Sequence, residues 1–402
     1  MNKFKYLCAL ILSVTLLSLQ ANAQIAVKGN TVHTISGNTI TNGVVLVKDG
    51  KIERVGSADR VRIPNGYTTY EADVVTPGLI DVHSVVGLAG IFNQEHDQDQ
   101  LETSDAIQPD LRALDAYNAR EELVIFLREK GITTVHTGHG PGAVVSGQTM
   151  IVKTAGETIQ EALVDSVTAL AITLGSGISN EFSKPGTRAK AVSMLRQELI
   201  KAREYAEKRA SDDESKRPAR NLQMEALADM LEGKIHALVT AHKASDIMTA
   251  LRLQEEFGFS LWLDGAAEAY LLTDKIKEAG VPVIVHPTMI RTRGDAQNAS
   301  FETAGMLHKA GIPVLFQSGF EGYVPKTRVV LFEAGIAVAN GMDANAALEA
   351  LTLDAAKILG IENRVGSIER GKDADLVLFD GDPFEYTTKA THVIIDGRVV
   401  KE

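Results

Sequence analysis

Between Thr133 and Gln317 the chain alternates short, β-prone apolar runs with amphipathic stretches. The runs are Thr133–Thr137, Ala169–Leu174, Ala237–Ala241, Ser260–Leu263, Val281–Val285 and Pro313–Gln317, and helical periodicity falls between them at Asp246–Phe257 and Ala266–Ala279. A chain that returns to a strand after each helix builds a parallel sheet. The simplest closed form of that α/β pattern is a (β/α)8 TIM-like barrel. Such a barrel collects its chemistry where the strands end, so residues at those ends are the candidates to weigh.

Both chain ends read differently. Val44–Val47 and Lys51–Val55 flank Asp49-Gly50, a hairpin signature. Asp375–Phe379 runs into the turn residues Asp380–Pro383, and His392–Val400 carries two more strands around Asp396-Gly397. Neither end alone can close a core, so a small composite β-sandwich from residues 24–75 and 365–402 is expected beside a barrel of residues 76–364. A charged break at Ala210–Asn221, between the helical stretches Glu198–Lys208 and Leu222–Leu231, reads as a solvated surface loop.

The first 23 residues carry Lys3 and Lys5, an apolar run from Leu7 to Leu19, and Ala21-Asn22-Ala23, the pattern of a cleaved export signal. The run is too short for a membrane span, so the mature chain is expected in the periplasm or secreted, with no membrane span. Cys8, the single cysteine, lies in that segment, which excludes disulfides and cysteine-held zinc from the mature protein. A net charge of −11 without a basic patch argues against nucleic-acid binding.

Three stretches together resemble the amidohydrolase superfamily, in particular its imidazolonepropionase-like and dipeptidase-like branches. They are NGVVLVKDGKIERVG early in the chain, VTPGLIDVHSVVGL at Val75–Leu88, and VGSIERGKDADLVLFDGDPF at Val365–Phe384, the last followed by HVIIDGRVV. The resemblance implies a metal-dependent barrel with a β-sandwich built from both ends, cleaving C–N bonds of small cyclic amides or dipeptide-like substrates.

The family's metal ligands carry over only in part. Relatives place His-x-His at the end of the first barrel strand; the sequence here is His83-Ser84-Val85, so valine replaces the second ligand. The fourth strand, ALAITLGSG, offers neither the bridging lysine nor a glutamate, and Lys153 is expected on a connecting hairpin. His242 fits the fifth-strand histidine. The sixth-strand histidine and eighth-strand aspartate fall at about Gly265 and Gly319, with Asp264 the best remaining carboxylate by position for a general base. His136, His139 and His286 also sit at expected strand ends. A subset of His83, His136, His139, His242 and His286 could hold a single zinc or other divalent ion, which requires at least three ring nitrogens within reach of one point.

The acidic stretch Asn93–Asp105, which carries His96, reads as an exposed polar loop, and HTGHGPGAVVSGQ as turn chemistry without a phosphate-binding lysine. Two functions remain. The first is an exported hydrolase of C–N bonds acting on a small-molecule substrate, with a single metal ion. The second is a non-catalytic barrel, holding no metal, that binds a ligand or supports an active amidohydrolase partner; a homo-oligomer or a pairing with a related amidohydrolase is the expected assembly.

Overall fold

The computed structural model describes residues 24–92, 94–286, 293–319 and 329–401, so the expected export signal lies outside the described residues. Among the described residues, fifteen strands form two sheets. In chain order, β1 (Ile25–Val32), β2 (Ile40–Lys48), β3 (Lys51–Ser57) and β4 (Thr68–Pro77) precede a run of eight. These are β5 (Leu79–Ser84), β6 (Ile132–Gly138), β7 (Val145–Lys153), β8 (Leu163–Thr173), β9 (His236–Ala241), β10 (Leu261–Gly265), β11 (Val283–Val285) and β12 (Val314–Phe316). The chain closes with β13 (Leu376–Phe379), β14 (Ala390–Ile395) and β15 (Arg398–Lys401).

The two chain ends do share one sheet. Its order is β15-β14-β13-β4-β1-β2-β3, with β13 pairing antiparallel to β4 so that Leu376 faces Pro77. Ile25, Val27, Val45, Val47 and Val75 from one end and Ile368, Leu376, Leu378 and Ile394 from the other bury a common apolar face. Neither set could exclude water alone.

The other sheet is the barrel, β5 through β12 in sequence order, all but closed by a parallel bridge between Ser84 and Gly319. Its strands are parallel with one exception. β7 runs antiparallel to both β6 and β8, so the stretch expected as a connecting hairpin is itself a barrel strand. Lys153, at its C-terminal end, consequently lies at the opposite pole from the ends of the parallel strands. The helix Ala244–Phe257 forms as expected, whereas only Thr273–Ala279 of the second stretch is α-helical; Ala266 there has a φ of 45° and breaks the pattern at its start. The charged break joins the helices Arg188–Arg209 and Leu222–Leu231.

Inside the barrel Ile80, Val82, Ile151, Ala169, Leu238, Trp262, Ile284 and Leu315 form one cluster, plugged by Ala355, Ala356 and Leu359. Below it, Lys153 is buried with its Nζ 2.6 Å from Asp375, 2.9 Å from Asp396 and 3.4 Å from Asp373. Asp373 also accepts from Lys51 and from Arg364, whose Nη2 is 3.0 Å away. Burial alone would lower the Lys153 pKa, but the surrounding aspartates outweigh it and hold the ammonium above its ordinary value. This network ties β7 of the barrel to the sheet of the chain ends. No helix among the described residues is long and apolar enough to cross a membrane.

Candidate functional site

Strand β5 delivers His83 to the barrel mouth through an irregularity. Asp81 pairs with Val135 and Ser84 with Thr137, so three steps on β5 match two on β6. Such a bulge upsets strict alternation. Val82 therefore packs in the axial cluster while the next residue, His83, also reaches inward. Its Nδ1–H donates to Asp264 Oδ1 at 2.9 Å. Asp264, at the end of β10, is fully engaged: Thr240 Oγ1 donates to Oδ2 at 2.6 Å and Gln317 Nε2 to Oδ1 at 2.5 Å.

Burial pushes the Asp264 carboxyl up, but His83 and Thr240 prevail and hold it below its ordinary value. Burial likewise opposes a charged His83, and Asp264 overcomes it to raise the imidazole. Asp81 anchors the loop behind this pair, its Oδ1 accepting the amides of His83 and Ser318 at 3.2 and 3.1 Å. Desolvation still pushes its carboxyl up to about 6.

The other histidines do not join His83. His136 donates from Nδ1 to the Val82 carbonyl at 2.7 Å, and its Nε2 meets Thr149 Oγ1 at 2.7 Å. A carbonyl only accepts, so Nδ1 carries the proton, while the Thr149 hydroxyl that Nε2 faces also lies 3.2 Å from the Ala169 carbonyl. Burial pulls this imidazole down to about 3, and its ring stands edge-on to Trp262. Both ring nitrogens are thus engaged by neighbouring groups. His139, pulled down by burial to about 4, lies against Gly147 with both ring nitrogens unpartnered.

His242 and His286 flank the mouth, and each ring sits over a glycine. Gly265 and Gly319 both have a φ of 73°, the left-handed region where a side chain is strained. A Cβ on Gly265 would lie 2.5 Å from His242 Cε1, and one on Gly319 would lie 2.6 Å from His286 Nε2. His286 Nδ1 donates to the Gln317 carbonyl at 3.0 Å and lies 3.4 Å from the buried Glu333 carboxylate. Burial lowers the His242 pKa. Val85, where a second ligand is expected, is completely buried.

Among the described residues, no three His, Cys, Asp or Glu side chains are placed to share a metal ion. The convergence of three ring nitrogens that a single-ion site demands is therefore not met by the five candidate histidines, and the residues present do not fit the family's two-metal centre. Asp264, the candidate base, sits beside His83 with its oxygens accepting three hydrogen bonds. Sequence reasoning passed over Thr240 and Gln317. Thr240 lies near the end of β9 and Gln317 directly follows β12, and polarity at those two strand ends is the signal that could have raised them.

Residues 74–400 match the profile of the "Amidohydrolase family". Imidazolonepropionase of Shewanella sp. (strain W3-18-1) is 26% identical over 373 residues, covering 85% of this chain and 87% of that protein. Amidohydrolase tasK of Hapsidospora irregularis is 23% identical over 390 residues, which cover 88% of this chain but only 39% of the larger protein. Among solved structures, an amidohydrolase from Thermotoga maritima MSB8 superposes with a TM-score of 0.87 at 31% identity, covering 94% of this chain and 99% of that one.

Proposed function

The chain belongs to the amidohydrolase family, and within it we propose that this protein is an exported, metal-independent barrel that binds a small molecule at its mouth without hydrolysing it. The observation that carries this reading is the seating of His242 and His286 on left-handed glycines. At Gly265 and Gly319 the ligands are not merely exchanged for another side chain. The neighbouring imidazoles occupy the space a side chain would need, so each position is closed to any donor until its histidine moves. The imidazolonepropionase relative suggests a ligand of similar size, a compact ring or short chain.

Elemental analysis after growth with added zinc tests the reading. The expected result is well under one metal per chain and no hydrolysis of cyclic amides or dipeptides above background. Near-stoichiometric zinc that disappears in a His83→Ala, His242→Ala double variant would overturn it and restore the hydrolase. Export is tested separately: N-terminal sequencing of protein from the cell envelope should begin at Gln24, and recovery of intact Met1 from the cytoplasm would contradict it.

A further inference from the structure

A small cavity at the ends of β10 and β11 shares its wall between two parts of the chain. Ala266, Ala267 and Val285 come from the strand ends, and Ala296, Ala299 and Ser300 from the stretch 294–300. The space they enclose is about 60 Å³. Sites that hold a small molecule run to roughly 300–1,000 Å³. A compact ring or short chain therefore needs part of this wall to move aside.

The stretch 294–300 is the part built to do so. None of its residues is buried: Gly294, Gln297 and Asn298 are exposed, and Asp295, Ala296, Ala299 and Ser300 are half-buried. The amides of Ala296, Gln297 and Ala299 donate to the carbonyls of Arg293, Gly294 and Ala296, closing short turns that leave the barrel untouched.

Side chains tie it down instead. Asp295 Oδ2 accepts the Ser176 amide at 2.6 Å and the Ser176 hydroxyl at 2.8 Å, and its Oδ1 accepts Arg188 Nη2 at 2.6 Å. Arg188 is steadied in turn by Asp246, 3.1 Å from its Nε. Gly175 makes room for this contact. Its φ is 130°, and a Cβ there would lie 2.7 Å from Asp295 Oδ2. At the other end of the stretch, Asn298 donates to Glu268 Oε1 at 2.7 Å and its carbonyl accepts the Tyr270 hydroxyl at 2.9 Å. Charge-assisted bonds of this kind fix a position well. With little apolar area beneath them, however, they leave a segment at the low end of local stability.

We propose that residues 294–300 are a latched strap that opens to admit ligands to the barrel mouth. Asp295 on Ser176 and Arg188 is the main latch, and Asn298 on Glu268 and Tyr270 the second. The need for opening rests on the ligand size proposed above; the opening itself does not, so its test uses no ligand.

Full-length protein carrying Cys8→Ser and Ala267→Cys has one thiol, on the cavity wall, and its alkylation by iodoacetamide reports opening. Asp295→Ala should speed alkylation by about tenfold and Asn298→Ala by about threefold, in keeping with the bonds each removes. Arg196→Ala, which breaks the 2.8 Å pair with Glu256 on the same helix as Arg188 but away from the strap, should leave the rate unchanged. Hydrogen exchange of β9 should stay as slow in Asp295→Ala as in the parent. A rate indifferent to both latch variants would overturn the strap while leaving the metal-independent reading standing. So would loss of protection in β9, because the barrel itself would then be opening.

Discussion

At its floor the barrel buries a lysine among three aspartates; at its mouth it buries an imidazole against one. The Lys153 cluster is complete, although Arg128 Nε and Thr133 Oγ1 elsewhere at the floor lack partners. Lys153 reaches Asp373, Asp375 and Asp396, while Lys51 and Arg364 supply the remaining charge on Asp373. Around the His83–Asp264 pair, by contrast, His83 Nε2, His242 Nδ1 and His286 Nε2 lack partners. A buried ionic cluster whose members are all paired holds parts together, whereas unpaired buried atoms carry a desolvation cost. The difference assigns a structural role to the Lys153 cluster and leaves the mouth as the candidate for binding.

The largest effect should come from breaking the floor. Lys153→Met keeps the length of the side chain and strands Asp375, which is buried and already raised by desolvation. Removing one partner of a buried pair costs about 3–5 kcal/mol. Urea denaturation should show that loss, with the sheet of the chain ends and the barrel unfolding at a common, lower midpoint. A loss below 1 kcal/mol would mean that the floor does not couple the two sheets.

Acid should act next, and mainly through the mouth side of the barrel. His136 and His139 are held at about 3 and 4, against 6.5 for a free imidazole. As pH falls below about 6.5 the unfolded chain takes up these protons before the folded one does, so stability falls until the folded values are reached. Asp81 works oppositely: raised to about 6, it is protonated in the fold while an unfolded aspartate is still ionised, which favours the fold as pH falls from 6 towards 4. Those two histidines against Asp81 alone leave a loss of about 1.4 kcal/mol per pH unit, which the carboxyls of Asp375 and Glu121, also raised by burial, reduce. His33, His236 and His242, also lowered by burial, add to it. His139→Leu should flatten the stability–pH slope between pH 6 and 4.5 by about 1.4 kcal/mol per unit. An unchanged slope would show that His139 protonates readily in the fold.

How much of this was legible in the sequence follows from what each feature depends on. The positions of His83, His242 and His286 at strand ends are local, set by where β-prone runs stop, and they were readable. The direction of β7 was not, because alternation in GQTMIVKT is the same read either way; only its pairing with β6 and β8 fixes it. His136 looked like a ligand until the Val82 carbonyl and the Thr149 hydroxyl, 54 and 13 residues distant, took its two nitrogens. Gly265 and Gly319 read as missing donors, but their left-handed backbone and the rings resting on them appear only in three dimensions.

A third test weighs the mouth directly. Asp264→Asn removes the charge that His83, Thr240 and Gln317 share but keeps the shape of the acceptor. Hydrogen bonds to a charged group contribute about 1.5–3 kcal/mol each, and the amide oxygen recovers part of that, so a net loss of about 1–3 kcal/mol is expected. The His83 ring should lose its elevated pKa in the same variant, seen by NMR titration. A loss larger than that of Lys153→Met would reverse the ranking of the two poles.

The smallest effect gives the sharpest contrast, because it applies one substitution to both ends. Thr154, at the floor, donates from Oγ1 to the Ile132 carbonyl at 2.7 Å and is 1% exposed. Thr303, at the mouth, is similarly buried but its Oγ1 meets no partner. Threonine and valine have nearly the same shape, so replacement tests the hydroxyl alone. Thr154→Val removes a made hydrogen bond and leaves a carbonyl unmet, costing about 1–2 kcal/mol. Thr303→Val removes an unmet hydroxyl, so the ligand-free protein should be unchanged or more stable by up to about 1 kcal/mol. Paired denaturation curves in the absence of ligand read the difference. If both variants lose stability equally, Thr303 has a partner in solution within the protein itself, and the contrast between the two threonines disappears.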